Sequence, residues 1–278
     1  MTRIRVHCEL RYDVQVPSGF VFAMFAAENR RQHVDDQHFR ISPETPGDRI
    51  KFDPSGHDLV RASVEPGPIT VTYDATVDVR PHIPADVPRR ELSFVELPGE
   101  VLGYLHPSRY CQSDLLGRFA QQSFGSLEPG FDRVTGICNW IWEHLSYVPG
   151  STDGSSTAVD VLVGAAGVCR DYAHLGIALC RALGIPARYV SGYAVDLEPP
   201  DFHGFFEAFL DGEWYLFDAT RMAPIDGLVR IATGRDAADV AFAAIVGAAE
   251  LVAKEVMVID LDRTGPRDPS TTPALGTA

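Results

Sequence analysis

The sequence predicts an α+β protein: a β-rich domain over residues 1–100, a core over 101–262 with helices packed on an antiparallel sheet, and a disordered tail over 263–278. Three observations predict it. Runs within the first hundred residues alternate apolar and polar side chains, the period of strands with one buried face. A proline-dense stretch, RPHIPADVPRRELSFVELPG, then reads as an interdomain linker. Beyond it the apolar spacing changes to three and four, the period of helices with one buried stripe.

The elements follow in order. RIRVHCELRYDVQV alternates as a strand, and LVRASVEPGPITVTYDATVDVRP gives two strands around a Pro-Gly-Pro turn. Between them RISPETPGDRIKFDPSGHD is turn-rich, as hairpin loops are. In EPGFDRVTGICNWIWEHLSYV the residues Phe131, Val134, Cys138, Ile141 and Leu145 line one helical stripe. VPGSTDGSSTAVDVL is a polar loop running into a short helix. CRDYAHLGIALCRAL is a further helix, stopped by Gly184 and Pro186. ARYVSGYAVD, HGFFEAFL and EWYLFDAT are strands, ADVAFAAIVG fits either strand or helix, and ELVAKEVMVIDLD alternates as a closing strand.

Composition bounds the function. With 45% hydrophobic and 22% charged residues, the 278-residue chain is an ordinary globular protein. A net charge of −14 opposes nucleic acid and anionic membrane surfaces, which recruit cationic proteins. The N-terminus lacks the apolar stretch of a signal peptide, and no run reaches the roughly 20 residues of a membrane span. Five cysteines, odd in number and irregularly spaced, suit free thiols in a reducing cytoplasm.

One cysteine stands out. Cys169, in GAAGVCRDYAHLG, follows a Gly/Ala run and starts a helix. It can be a packing residue, a metal ligand or a nucleophile. Packing is the common fate of a free cysteine and suits Cys8, Cys111, Cys138 and Cys180. A metal needs converging ligands. His174, five positions on, lies about 140° around a helix, and Cys180 about 16 Å along it. No Cys-x-x-Cys or His-Glu-x-x-His occurs, so no metal or other cofactor is expected. A nucleophile gains from the helix N-terminus, whose N–H groups and dipole favour a thiolate. Gly164 and Gly167 let a substrate backbone approach.

A nucleophile needs a base, and DFHGFFEAFLDGEWYLFDAT supplies one. Asp211-Gly212 between apolar runs predicts a two-residue hairpin with Leu210 opposite Glu213. That register puts His203, Phe205, Asp218 and Thr220 on one face, with His203 and Asp218 diagonal neighbours. This face is expected to meet the start of the Cys169 helix. His174 and His144 read as structural or surface residues, and Asp171 as a first-turn helix charge. The N-terminal histidines His33, His38, His57 and His82 lack a nearby nucleophile.

The segments GVCRDYAHLGIALCRALGIPARYVSGY and DFHGFFEAFLDGEWYLFDAT resemble the cysteine, histidine and aspartate segments of bacterial transglutaminase-like proteins. The first hundred residues resemble the β-rich region often joined to that core. The resemblance implies a papain-like core with Cys169 as nucleophile, His203 as base and acid, and Asp218 as orienter. It also implies a peptide or protein amide substrate, attacked through a thioacyl-enzyme that water or an amine resolves, water being favoured. Tyr147 is the expected second oxyanion donor. Members commonly carry Ala-Trp after the histidine; here Gly204-Phe205 keeps the aromatic bulk and loses the indole N–H, and Phe205, with Gly167, is expected on the substrate side. Relatives also include non-catalytic interaction domains, the alternative reading. No Gly-x-Ser-x-Gly elbow of a serine enzyme and no calcium loop occurs. The sequence leaves the oligomeric state open.

Overall fold

The computed structural model describes residues 1–51, 57–80, 89–263, 265 and 275–276. The N-terminal strands are β1 (Thr2–Val14), β2 (Ser18–Phe22), β3 (Gln32–Ser42), β4 (Gly47–Lys51), β5 (Asp58–Val64) and β6 (Gly67–Val79). The remainder folds as α1 (Ser113–Phe124), α2 (Phe131–His144), β7 (Ser146–Tyr147), α3 (Ala158–Gly164), β8 (Ala166–Gly167) and α4 (Cys169–Ala182). There follow β9 (Ala187–Ala194), β10 (Phe202–Leu210), β11 (Glu213–Phe217), β12 (Leu228–Gly234), β13 (Ala243–Val246), β14 (Ala249–Asp260) and β15 (Leu275–Gly276).

The alternating strands build two four-stranded antiparallel sheets, ordered β14-β1-β6-β3 and β13-β2-β5-β4. Their inward residues form a shared core. Ile4, Val6, Leu10 and Tyr12 of β1 are buried with Phe20 and Phe22 of β2, and the Tyr12 and Phe20 rings meet edge to face at 5.3 Å. Part of the turn-rich stretch is itself strand, since β3 reaches Ser42 and β4 pairs with β5. His33 and His38 lie on β3, exposed and paired with Glu28 and Asp36. His57 is buried.

The last two long strands belong to these sheets. Taking residues 101–262 as one core places 249–260 with the other C-terminal strands; instead β14 pairs along β1 from Ile4↔Asp260 to Val14↔Ala249, and β13 pairs with β2. Alternation predicts a strand but not which sheet it joins, and along β14 Val256 alone is buried. The chain leaves the N-terminal domain and returns to it, so that domain is completed by its C-terminal segment.

Between these passes lies the core. A five-stranded sheet, β12-β9-β10-β11-β15, is covered by α4, which packs on α1, α2 and α3. The helix stripe is as expected: Val134, Cys138, Ile141 and Leu145 are buried. The ambiguous ADVAFAAIVG contains strand β13. Residues 81–88 of the linker, His82 among them, lie outside the described residues. Its far end packs on the core through Leu92 and Leu97, which cluster with Val101 and Phe209. Most of the tail expected to be disordered also lies outside them, but Leu275–Gly276 pairs with Tyr215 and Leu216 of β11.

The two parts are tied together. Gln32 donates to the carbonyls of Ala27 and Arg230 and accepts from Arg230 N–H, and the Tyr193 hydroxyl donates to the Met24 carbonyl at 2.6 Å. No helix among the described residues is long and apolar enough to cross a membrane.

Candidate active site

The site begins at the first turn of α4. A Cβ on Gly176 would meet the Phe206 ring at 2.7 Å, so the missing side chain lets α4 lie close on β10. Asp171 braces the helix start. It is fully buried, and its carboxylate accepts from Val168 N–H at 2.9 Å and from the Thr152 hydroxyl at 2.5 Å, with Arg170 beside it. It is thus a capping group that ties the loop before α3 to the cysteine, more than a first-turn charge. Gly167 is buried, and a Cβ there would meet Asp171 Cβ at 2.7 Å. The glycine makes room for this brace rather than for substrate, a correction to the sequence reading.

The hairpin supplies the other half. Asp211 and Gly212 both have positive φ, 50° and 88°, as a type I′ turn requires. Leu210 opposes Glu213, and the ladder runs to Phe206↔Phe217. Just beyond its end His203 Nε2 meets Asp218 Oδ2 at 2.9 Å, both side chains being almost fully buried. Asp218 Oδ1 accepts from the Thr220 N–H and hydroxyl at 2.8 and 2.7 Å. The imidazole is therefore held by a carboxylate that is itself held.

Helix α4 covers the face of β10 that carries Phe206, whereas His203 belongs to the face of Phe205 and Glu207. The cysteine and the histidine meet at the strand's edge instead of across a face. The β10–β11 ladder has ended there, and Gly204 N–H donates to the Cys169 sulfur. A Cβ on Gly204 would strike the Tyr189 hydroxyl at 2.3 Å, which accounts for glycine at this position. His203 Nδ1 is buried without a nitrogen or oxygen partner, leaving it to the sulfur.

The charges follow from these contacts. Burial alone would raise the Cys169 thiol; the hydrogen bond and charge of His203 and the Gly204 N–H outweigh it, and the net shift is downward. Burial would lower His203; the charge and hydrogen bond of Asp218, then Cys169, carry it up to about 10. Both shifts act in the same sense, favouring charge separation between the sulfur and the imidazole. Burial raises all four other thiols, Cys8, Cys111, Cys138 and Cys180.

Tyr147, on β7 beside β8, brings its hydroxyl within hydrogen-bond reach of the Cys169 side chain and backbone N–H. Burial raises its pKa, so it stays a donor at neutral pH. Phe205 does not reach the substrate side. It is fully buried among Val190, Leu216 and Leu228, and its ring meets His203 edge-on at 4.5 Å. The aromatic after the histidine is a wedge behind the imidazole. His174 is buried and accepts from Ala237 N–H at 3.1 Å, with its pKa lowered to about 4 by burial; His144 stacks on Trp140. Among the described residues no cluster of His, Cys, Asp and Glu is arranged to hold a metal, and all five cysteines are free.

Beside Cys169 and His203 opens a cavity of about 410 Å³. Among the contributors not read from the sequence are Tyr110, Ala237, Val240, Phe242 and Lys254 of β14. Lys254 lies on a strand of the N-terminal sheets, so the cavity is shared between the two parts.

Comparison with known proteins identifies the family. Residues 117–219 match the family model described as Transglutaminase-like superfamily, and residues 2–100 the one described as Bacterial transglutaminase, N-terminal domain. A crystal structure from Cytophaga hutchinsonii, described as "a Putative Cysteine Protease", aligns at 40% identity and a TM-score of 0.94, covering 100% of this chain and 98% of that one. An uncharacterized protein of Mycobacterium leprae is 35% identical over 120 residues, 39% of this chain and 42% of its own length. One from Mycobacterium tuberculosis is 33% identical over 143 residues, 48% of this chain and 45% of its own length. The matches span less than half the length of these curated mycobacterial relatives.

Proposed function

This chain belongs to the transglutaminase-like superfamily, and on that premise we propose that it is a cysteine hydrolase of amide or peptide bonds, with Cys169 as nucleophile, His203 as general base and acid, and Asp218 as orienter. The observation that carries the reading is the contrast among five thiols. Cys169 alone is lowered, partly accessible and partnered by an imidazole.

The thiolate attacks the amide carbonyl carbon, and the carbonyl electron pair moves onto oxygen. The donors assigned to that oxyanion are Cys169 N–H and the Tyr147 hydroxyl, a reading supported by their lying within hydrogen-bond reach of each other beside the sulfur. As the intermediate collapses, the C–N bond breaks and the His203 imidazolium gives its proton to the leaving amine. Water then attacks the thioacyl carbon, His203 takes its proton, and the acid is released with the thiolate–imidazolium pair restored. An amine in place of water would give transamidation; hydrolysis is favoured because water needs no second binding site.

The test is brief alkylation with iodoacetamide near pH 6, followed by peptide mapping. Cys169 should label first, and His203→Gln should slow it by at least about a hundredfold, since an ordinary thiol near pKa 8.5 is scarcely ionised there. Fastest labelling at any other cysteine would sink the assignment. Intact mass with acyl-donor amides and an amine pool then separates the acceptors: the acyl adduct should decay to free acid.

A further inference from the structure

The cavity beside Cys169 has a chemical character of its own. Its walls are largely aromatic and aliphatic, with Tyr110, Tyr189, Phe202, Val240 and Phe242 among them. Into this lining the N-terminal sheet projects Lys254. The chain holds 22 arginines and only two lysines, Lys51 and Lys254, so lysine is not its general-purpose cation. An ammonium is a compact charge with three donors.

The ammonium is aimed and has donors to spare. Lys254 Nζ meets Asp201 Oδ2 at 2.5 Å, and Asp201 Oδ1 accepts from Phe202 N–H at 2.7 Å. Both oxygens of Asp201 are thus engaged, while Asp201 is the ion-pair partner of Lys254 among the described residues. The Lys254 side chain is 32% exposed. The other cation of the wall, Arg170, is turned to Asp171 and the Asp153 carbonyl.

We propose that this cavity is a subsite for a substrate group that joins an apolar side chain to a carboxylate, as the C-terminal residue of a peptide does, with Lys254 recognising the carboxylate. The aromatic walls take the side chain, and the surplus ammonium donors take the anion. The inference rests on reading Cys169 as the nucleophile, and it assigns the N-terminal domain a role in specificity.

The probes are N-acetyl-phenylalanine, its carboxamide, and the α-amide of N-acetyl-glutamate, which carries its carboxylate on the side chain. Each is tested for protection of Cys169 against iodoacetamide in the full chain and in Lys254→Met and Lys254→Arg, every variant being referred to its own unprotected rate. The free acid should protect at about tenfold lower concentration than its carboxamide, as expected for a charged hydrogen bond in a half-open site. That advantage should vanish in Lys254→Met and persist in part in Lys254→Arg. Calorimetric binding of the acid and the carboxamide reads the same comparison without the thiol, so a Cys169 that fails to label first would sink the nucleophile reading alone. Equal binding of acid and carboxamide, no binding of the acid, an advantage that survives Lys254→Met, or better protection by the glutamate derivative would each overturn the proposal.

Discussion

Strands β1 and β10 are both central, each paired on two sides, yet their burial differs. Along β1 inward residues such as Val6 and Leu10 are buried while Arg5 and Arg11 are exposed; along β10 every residue after Phe202 is buried. The first strand has one face on a partner sheet and one in water. The second is covered by α4 on one face, and on the other Phe205 packs in a cluster with Leu197, Ala223, Ile225 and Leu228. The difference governs what polar groups can do. On β1 a charge is solvated and interchangeable. On β10 a polar group survives only with a partner, and both of its ionisable side chains have one: His203 has Asp218, and Glu207 has Arg188 and Arg230. The candidate chemistry sits on the strand that cannot tolerate an unpaired charge.

The largest test of this contrast is Glu207→Ala. Glu207 Oε2 accepts from Arg188 Nε at 2.7 Å, and Arg230 pairs with the same carboxylate. Removing it takes the shared carboxylate away from two largely buried cations and should cost about 3–5 kcal/mol, since breaking a buried pair leaves desolvated charge behind. Urea unfolding measures it. A loss under about 1 kcal/mol, the range of exposed pairs, would mean that water reaches this face.

Asp218→Ala sharpens the comparison at the site. Burial pulls His203 down and Asp218 is the chief group lifting it to about 10. A raised histidine keeps its proton below its pKa and loses it as pH rises through that value, so the wild-type ion pair should persist up to about pH 10. Without Asp218 the imidazole should titrate well below about 10, because the sulfur alone is left to oppose desolvation. The alkaline limit of the ion pair, read from imidazole nitrogen NMR shifts, should fall by several pH units. An unchanged limit would show that the sulfur alone holds the proton.

The same contrast explains what was legible in the sequence. Strands β1 and β6 were readable because one solvated face writes a period of two. The His203–Asp218 pairing was readable through Asp211-Gly212, whose turn fixes the register regardless of burial. Helix α1 was not marked: Gly117 interrupts it and only a few positions, Leu116, Ala120 and Phe124 chiefly, are buried. Strand β12, LVRIATG, is buried throughout and carries no alternation. Lys254 lies on a legible strand, but its place at the cavity depends on β14 pairing with β1 across most of the chain. No local pattern encodes that pairing. Gly167 and Phe205 were placed correctly and misread in purpose, since their neighbours Asp171 and His203 come from packing.

The smallest effect is the other limb of the comparison. Arg5 lies on the outward face of β1, opposite Ile259 of β14 and Thr76 of β6. It is exposed and its backbone is paired on both sides, so the ladder does not depend on its side chain. Arg5→Gln keeps a polar side chain and removes one positive charge from a chain of net charge −14. The change in unfolding free energy should stay within about 0.5 kcal/mol, as for surface substitutions away from caps and pairs, and Cys169 alkylation should not move. A cost approaching that of Glu207→Ala would mean that the outward face of this sheet is covered in solution, and that β1, like β10, is buried on both sides.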